Sequence, residues 1–225
     1  EVYNRKDIMP YFNRTGAPIE LEVSRKDIWE SGPSQEAPVI LPLPAIQGAI
    51  SDVLKRVDAA SLDECSFRCV ECLVPSLRDT VDDALSDIDG LDLVNEFAQS
   101  LAQKKRVWDA TDRIKYKALL EASGHPDLQE AIQLMHGLDQ YELRPEIAEP
   151  WDYTEVILRE KYPDLPEELF QTPQAARIGQ KWLEKGDAAI TDYGLLRRKD
   201  GGLLPHFQPE QERQIQQRQG DMKMG

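Results

Sequence analysis

The sequence has few cysteines and no long apolar run. Its three cysteines all lie between residues 65 and 72, and this odd, clustered set is not the disulfide framework of a small secreted domain. There is no run of about 18 apolar residues that would cross a membrane. The amino-terminal residues also lack the basic and then apolar pattern of a secretory signal. We therefore expect a soluble, cytoplasmic protein with no membrane partner.

The sequence is also short of positive charge. Lysine and arginine number 27 against 41 aspartates and glutamates, which gives a formal net charge of −14. Proteins bind nucleic acids and anionic membranes through basic residues, so this charge excludes both as partners. A basic protein is the partner that the composition favours.

Recognisable catalytic motifs are missing as well. The three histidines, His125, His136 and His206, form no HExxH pattern and have no cysteine at zinc-knuckle spacing. The chain has no GxSxG, no phosphate-binding Walker loop and no GxGxxG. We predict a non-enzymatic protein without catalytic residues, cofactor or metal.

The octet CSFRCVEC at 65–72 has the Cys-x3-Cys-x2-Cys spacing that holds a [4Fe–4S] cluster in radical S-adenosylmethionine enzymes. Those enzymes place the motif on a loop of a strand-helix barrel, and no such succession of units follows residue 72. The octet itself is typical of a strand, in which Cys69 and Cys72 point to opposite faces. We therefore predict that Cys65, Cys69 and Cys72 are buried packing residues rather than cluster ligands.

A calcium site is the other metal alternative, because Asp83, Asp87 and Asp89 crowd a turn. An EF-hand loop needs three acidic positions before its glycine and a glutamate six residues after it. Glu96 fits the last requirement, but the first ligand position is Leu85. The sequence argues against calcium.

Apolar spacing predicts an α+β fold of short strands and helices. Strands are predicted at 19–23, at 39–44 as an edge strand, at 67–74, at 141–145 and at 190–198. Six helices are predicted, and three of them have the bounds 45–57, 152–162 and 172–187. The other three are identified by apolar residues on one face: Leu91, Val94, Ala98 and Leu101, with the helix starting at Leu91; Val107, Ile114 and Ala118, with an end near 123–124; and Leu128, Ile132 and Met135.

We predict an elongated chain of small modules with a central helical portion. The predicted segments are an amino-terminal arm and strand at 1–38, a first α/β module at 39–103, a central helical module at 104–150, a carboxyl-terminal α/β module at 151–204, and a flexible Gln-rich tail at 205–225.

The negative charge is concentrated in the middle of the chain. Residues 61–103 hold 10 acidic and 2 basic residues, net −8, and residues 118–170 hold 13 and 3, net −10. Between them, residues 104–117 hold 6 basic and 2 acidic residues, net +4. Each acidic run taken alone is typical of a solvated surface.

The order of segments from 39 to 198 resembles that of ArdA-type antirestriction proteins, in particular ArdA-like forms from mobile elements of Firmicutes. The matching segments are LPLPAIQGAISDVL, VECLVPSL, LDLVNEFAQSLA, KYKALLEASG, DLQEAIQLMHGLDQYELRP, DYTEVILREKY, LPEELF and ARIGQKWLEKGDAAITDYGLLRR. Where the family's carboxyl-terminal helix is often acidic, this chain has Arg177, Lys181 and Lys185, and it also carries a basic run at 104–106.

The resemblance implies a dimeric protein that presents carboxylates in place of DNA phosphates to the basic DNA-binding cleft of a type I restriction-modification enzyme. The alternative is a structural or adaptor protein of a mobile element whose acidity serves only solubility. Under the first interpretation we expect the partner to contact a set of carboxylates: Asp79, Asp82, Asp83, Asp87, Asp139, Glu142, Glu146, Glu149, Asp152 and Glu155.

Overall fold

The computed structural model describes residues 16–26, 39–87 and 89–205. In these ranges the chain forms seven helices and six strands, and the strands make two three-stranded antiparallel sheets. The predicted α+β class is confirmed. Most of the predicted amino-terminal arm and Gln-rich tail lies outside the described residues.

Two compact units make up the chain. The first contains residues 1–108 and 127–132, and the second contains residues 109–126 and 133–225. Within the described ranges, none of the helices combines the length and apolar character needed to cross a membrane.

The first unit contains the sheet β2-β1-β3, formed by β1 (Ile19–Arg25), β2 (Val39–Leu43) and β3 (Cys65–Cys72). Both strand pairs are antiparallel. The three strands predicted for this part of the chain are present. Pro42 lies in β2, which is an edge strand as its proline predicts, because proline cannot donate a ladder hydrogen bond.

The apolar face of β1 is the one that its alternating pattern predicts. Ile19, Leu21 and Val23 are all buried. The pattern places Glu20 on the solvated side, but Glu20 is only 1% exposed. The two-residue period therefore identifies the strand and its core face, while the opposite face is also covered at this position.

Three helices complete the first unit: α1 (Gln47–Arg56), α2 (Arg78–Ala84) and α3 (Gly90–Val107). The predicted stripe of α3 is confirmed where Val94, Ala98 and Leu101 are buried beside Phe97. Val107, which we assigned to the next helix, is instead the last residue of α3 and is 73% exposed. Val107 and Ile114 lie on opposite sides of a helix boundary, and the spacing of apolar residues alone does not reveal that boundary.

Two local contacts fix where α3 begins. The Asn95 side chain accepts a hydrogen bond from the Ala45 N–H at 2.7 Å and donates one to the Ala45 carbonyl at 3.2 Å. At Gly90, an added Cβ would lie 1.8 Å from the Ala84 carbonyl oxygen. The start of α3 is therefore tied to the segment before α1 and lies directly against the end of α2.

The second unit is built on the sheet β4-β6-β5, from β4 (Tyr141–Arg144), β5 (Ala188–Thr191) and β6 (Gly194–Arg198). Its helices are α4 (Ala110–Ala122), α6 (Pro150–Lys161) and α7 (Pro173–Leu183), while α5 (Leu128–His136) runs from the 127–132 segment into this unit. These helices confirm the predicted ones, although Ile114 of α4 is 42% exposed rather than on a buried face.

The single strand predicted at 190–198 is wrong, because this stretch is a tight hairpin between β5 and β6. The Thr191 hydroxyl donates to the Gly194 carbonyl at 2.8 Å and closes the turn. Gly194 has φ +113°, and a Cβ there would lie 2.4 Å from the Arg144 carbonyl oxygen. The apolar alternation continues across the turn, so it hides the reversal of the chain.

Helices α6 and α7 pack closely in the second unit. The Thr154 hydroxyl donates to the Ala175 carbonyl at 2.8 Å, and a Cβ on Gly179 would lie 1.9 Å from the Pro150 carbonyl oxygen. Tyr153 meets Trp182 edge-to-face with ring centroids 5.5 Å apart. This packing forms part of the unit's apolar core.

Candidate functional site

The densest run of carboxylates lies on α2, the following turn and the first two turns of α3. We call it the acidic surface; it comprises Asp79, Asp82, Asp83, Asp87, Asp89, Asp92 and Glu96. No lysine or arginine occurs between residues 79 and 96. All these carboxylates belong to the first unit.

The part of the acidic surface on α3 was missed by the sequence prediction. Asp89 is the N-cap residue of α3, and Asp92 and Glu96 follow it at steps of three and four residues, which places the three along one side of the start of the helix. All three are exposed, and the buried side of α3 carries Val94 and Phe97. The helix predicted from Leu91 already contained Asp92 and Glu96, but the sequence alone does not show that these carboxylates are exposed and free of ion pairs among the described residues.

Six of the seven carboxylates point into solvent without an ionic partner. Asp79, Asp83 and Asp87 are exposed, like the three carboxylates at the start of α3. Among the residues that the structure describes, none forms an ion pair with any of the six. Their charge is therefore not neutralised at close range, and it remains available to a cationic partner.

Asp82 differs from its neighbours because it is half-buried and bonded to the sheet. Its Oδ1 accepts a hydrogen bond from the Cys69 N–H at 2.6 Å. Arg78 Nε donates to the Cys69 carbonyl at 3.0 Å. These two bonds attach α2 to β3, so Asp82 holds the acidic surface in place rather than presenting a free charge.

The predicted carboxylates from 139 to 155 lie in the second unit, and most of them bond within the chain. Glu142 pairs with Arg197 at 3.0 Å, Glu146 with Arg144 at 2.7 Å, and Glu155 with Arg159 at 2.6 Å. The hydrogen bond from Arg144 lowers the pKa of Glu146 below its usual value.

Asp152 and Glu149 belong to the start of α6. One carboxylate oxygen of Asp152 accepts hydrogen bonds from the N–H groups of Ala148 and Glu149, at 3.1 and 2.9 Å. Glu149 is the N-cap residue of the same capping box. Asp139 is exposed and has no ion pair among the described residues, and unlike Glu149, which is also exposed and without an ion pair, it takes no part in the capping box.

The ten predicted carboxylates therefore fall into two sets with different surroundings. Asp79, Asp82, Asp83 and Asp87 share one surface of the first unit. In the second unit, five of the six carboxylates either form ion pairs within the chain or belong to the capping box of α6. The sequence does not separate these sets, since the partner of Glu142 lies 55 residues away.

The cysteines are buried, as predicted, but our prediction that Cys69 and Cys72 point to opposite faces is wrong. Strand β3 contains a bulge: Leu21 pairs with Cys69 and Glu20 with Glu71, so Val70 is the extra residue. The extra residue restores both cysteines to the same buried face of the sheet. In the described part of the chain, no group of three or more His, Cys, Asp or Glu is arranged to hold a metal ion.

The two thiols of this pair interact. Their interaction raises the pKa of Cys69 and lowers that of Cys72. The Cys69 thiol itself donates to the Glu71 carbonyl with the sulfur 3.4 Å away. Burial adds to the increase at Cys69 and opposes the decrease at Cys72. Cys72 is thus the more acidic thiol of the pair.

No family model matches the chain, and no curated protein matches it significantly. The resemblance to ArdA-type proteins therefore remains a prediction from segment order.

Proposed function

We propose that this protein is a non-enzymatic DNA mimic, and that its acidic surface occupies the basic DNA-binding cleft of a host-defence enzyme of the type I restriction-modification class. The observation that carries the proposal is the group of six exposed carboxylates on α2, α3 and their connection, which form no ion pair in the described ranges. The enzyme class itself rests on the resemblance to ArdA-type proteins.

The spacing of these charges is of the order that a DNA-binding cleft recognises. Steps of three and four residues along a helix advance by about 4.5 and 6 Å. Phosphates along one DNA strand advance by about 3.4 Å of axis. A helix face with this pattern offers a row of negative charges at comparable intervals, while two copies of the chain in a homodimer would lengthen the row.

The attachment of the acidic surface also supports a binding role. Asp82 and Arg78 fix α2 on β3, and Asn95 fixes α3 on the segment before α1. Because these hydrogen bonds hold the two helices in place, binding would cost little additional conformational entropy. A preorganised row of charges is what a competitor of DNA requires.

The alternative, an adaptor or structural protein that is acidic only for solubility, is favoured by the second unit. There the ion pairs of Glu142, Glu146 and Glu155 use the carboxylates internally. We therefore assign the binding role to the first unit, and we expect the 139–155 carboxylates to affect folding more than binding.

The test compares two variants with the same change in charge. In the first, the six exposed members of the acidic surface are replaced by their amides: Asp79, Asp83, Asp87, Asp89, Asp92 and Glu96. In the control, six exposed carboxylates from other places are replaced in the same way: Asp63, Asp164, Glu167, Glu168, Glu184 and Asp192.

Each protein is mixed with a type I restriction-modification enzyme, and the inhibition of DNA binding and cleavage is measured at low and moderate salt. Loss of steering should reduce the association rate of the first variant by roughly 10- to 1,000-fold, whereas the control should stay close to the wild type. Inhibition by the wild type should weaken as salt rises. Equal losses in both variants would show that only net charge matters and would contradict the proposal.

A further inference from the structure

The bulge in β3 creates a pair of neighbouring thiols. Cys72 lies opposite Ile19 and Cys69 lies opposite Leu21, two positions apart on one face of β1. Two strand rises of about 3.4 Å place such Cα positions roughly 6.8 Å apart, at the upper end of the range that disulfides span. Both side chains are buried, with exposed fractions of 0% for Cys69 and 5% for Cys72.

The two thiols differ in acidity. The Cys69 thiol donates to the Glu71 carbonyl with the sulfur 3.4 Å away, and the interaction with the Cys69 side chain lowers the pKa of Cys72. Cys69 retains its proton, since its own pKa is raised by the same contact and by burial. A thiolate next to a protonated thiol is the arrangement of an attacking and a resolving cysteine.

Cys65 shares the face but does not belong to the pair. It lies opposite Arg25, at the far end of the β1–β3 pairing from Cys72. Its thiol donates to the Ser61 carbonyl with the sulfur 3.6 Å away, and burial raises its pKa. Cys65 is therefore a buried thiol without a partner sulfur, and it serves as an internal control.

We propose that Cys69 and Cys72 form a two-thiol modification site that closes to a disulfide when hydrogen peroxide oxidises the protein. The Cys72 thiolate attacks one peroxide oxygen, the O–O bond breaks, and the departing hydroxide takes a proton to become water. The resulting sulfenic acid is attacked by the Cys69 sulfur, the S–O bond breaks, and hydroxide leaves with the Cys69 proton as a second water. Two thiols lose two electrons, and one peroxide is reduced to two waters.

The sequence around the site allows a direct test on the whole chain. Trypsin cleaves after Arg68 and Arg78, so Cys69 and Cys72 fall in one peptide, CVECLVPSLR, and Cys65 falls in another. The folded, reduced protein is treated with hydrogen peroxide, its remaining thiols are alkylated, and the two peptides are weighed. We expect the 69–78 peptide to lose two hydrogens and escape alkylation, while the Cys65 peptide is alkylated. Reduction should restore alkylation of both.

Two variants assign the roles. Cys69→Ala should leave Cys72 as a sulfenic acid that dimedone traps, and Cys72→Ala should leave Cys69 reduced over the same time. Cys65→Ser should not change the reaction of the pair. The proposal is overturned if wild-type Cys65 oxidises as fast as the pair, if the 69–78 peptide remains fully alkylated, or if its main product is sulfinic acid. These results are independent of whether the protein inhibits a restriction enzyme.

Discussion

Replacing Gly90 by alanine tests whether the acidic surface depends on the close approach of α2 and α3. An alanine Cβ would lie 1.8 Å from the Ala84 carbonyl oxygen and 2.7 Å from the Ala84 carbonyl carbon. These are backbone atoms, so no side chain can rotate away. Contacts below 3.0 Å essentially do not occur, and the two helices must separate by about 1.2 Å.

Overpacking of this kind typically costs about 1–3 kcal/mol in the free energy of unfolding. For a protein of this size, each 1 kcal/mol corresponds to a shift in melting temperature of roughly 2–4 °C. We therefore expect Gly90→Ala to lower the melting temperature by several degrees. Urea denaturation followed by circular dichroism measures the loss of free energy directly.

Gly48→Ala is the matched control, because Gly48 also lies in a helix but an added Cβ there meets nothing within 4 Å. Alanine's better helix propensity should make this variant more stable by about 0.5–1 kcal/mol. If Gly90→Ala is as stable as the wild type or gains stability as Gly48→Ala does, the close approach of the two helices is not what the structure indicates.

Three further predictions concern the second unit. The hydrogen bonds from Arg198 hold the pKa of Asp200 at about 2, so a carboxyl titration followed by NMR should find this midpoint, and Arg198→Ala should return it toward about 3.9. Because the folded pKa is depressed, this pair stabilises the fold above the unfolded pKa, and its contribution is lost as the pH falls toward 2. Thr154→Val removes the buried bond to the Ala175 carbonyl and should cost about 1–3 kcal/mol in urea denaturation, while Thr154→Ser should recover most of that loss. Asp109→Ala removes the N-cap of α4 and should cost about 1 kcal/mol, with no loss in Asp109→Asn.

Local periodicity in the sequence was sufficient to identify most elements of the fold. Ile19, Leu21 and Val23 identify β1, and Leu128, Ile132 and Met135 are all buried on α5 as their spacing predicts. The hairpin at 188–198 was not recognised, since its apolar alternation runs through the turn. The bulge at Val70 could not be predicted either, because it is defined by the pairing of β3 with a strand more than 40 residues earlier.

For the candidate site too, the sequence identified one part and not another. Composition located the acidic segments, but it gave equal weight to Asp79, which is unpaired among the described residues, and to Glu142, which binds Arg197 across the sheet. Whether a carboxylate is available depends on residues brought close by folding. Asp82 illustrates this most clearly, since one oxygen of a carboxylate that we predicted to contact a partner bonds to the main chain of β3.

The central claim is that the carboxylates of α2 and α3 replace DNA phosphates. The most direct measurement is competition: labelled DNA bound to a type I restriction-modification enzyme is titrated with this protein, with the variant neutralised on the acidic surface and with its matched control. We predict that the wild type and the control displace the DNA, less effectively as salt rises, and that the acidic-surface variant does not. If the wild type fails to displace DNA at micromolar excess, or if the acidic-surface variant displaces it as well as the control does, the claim is contradicted.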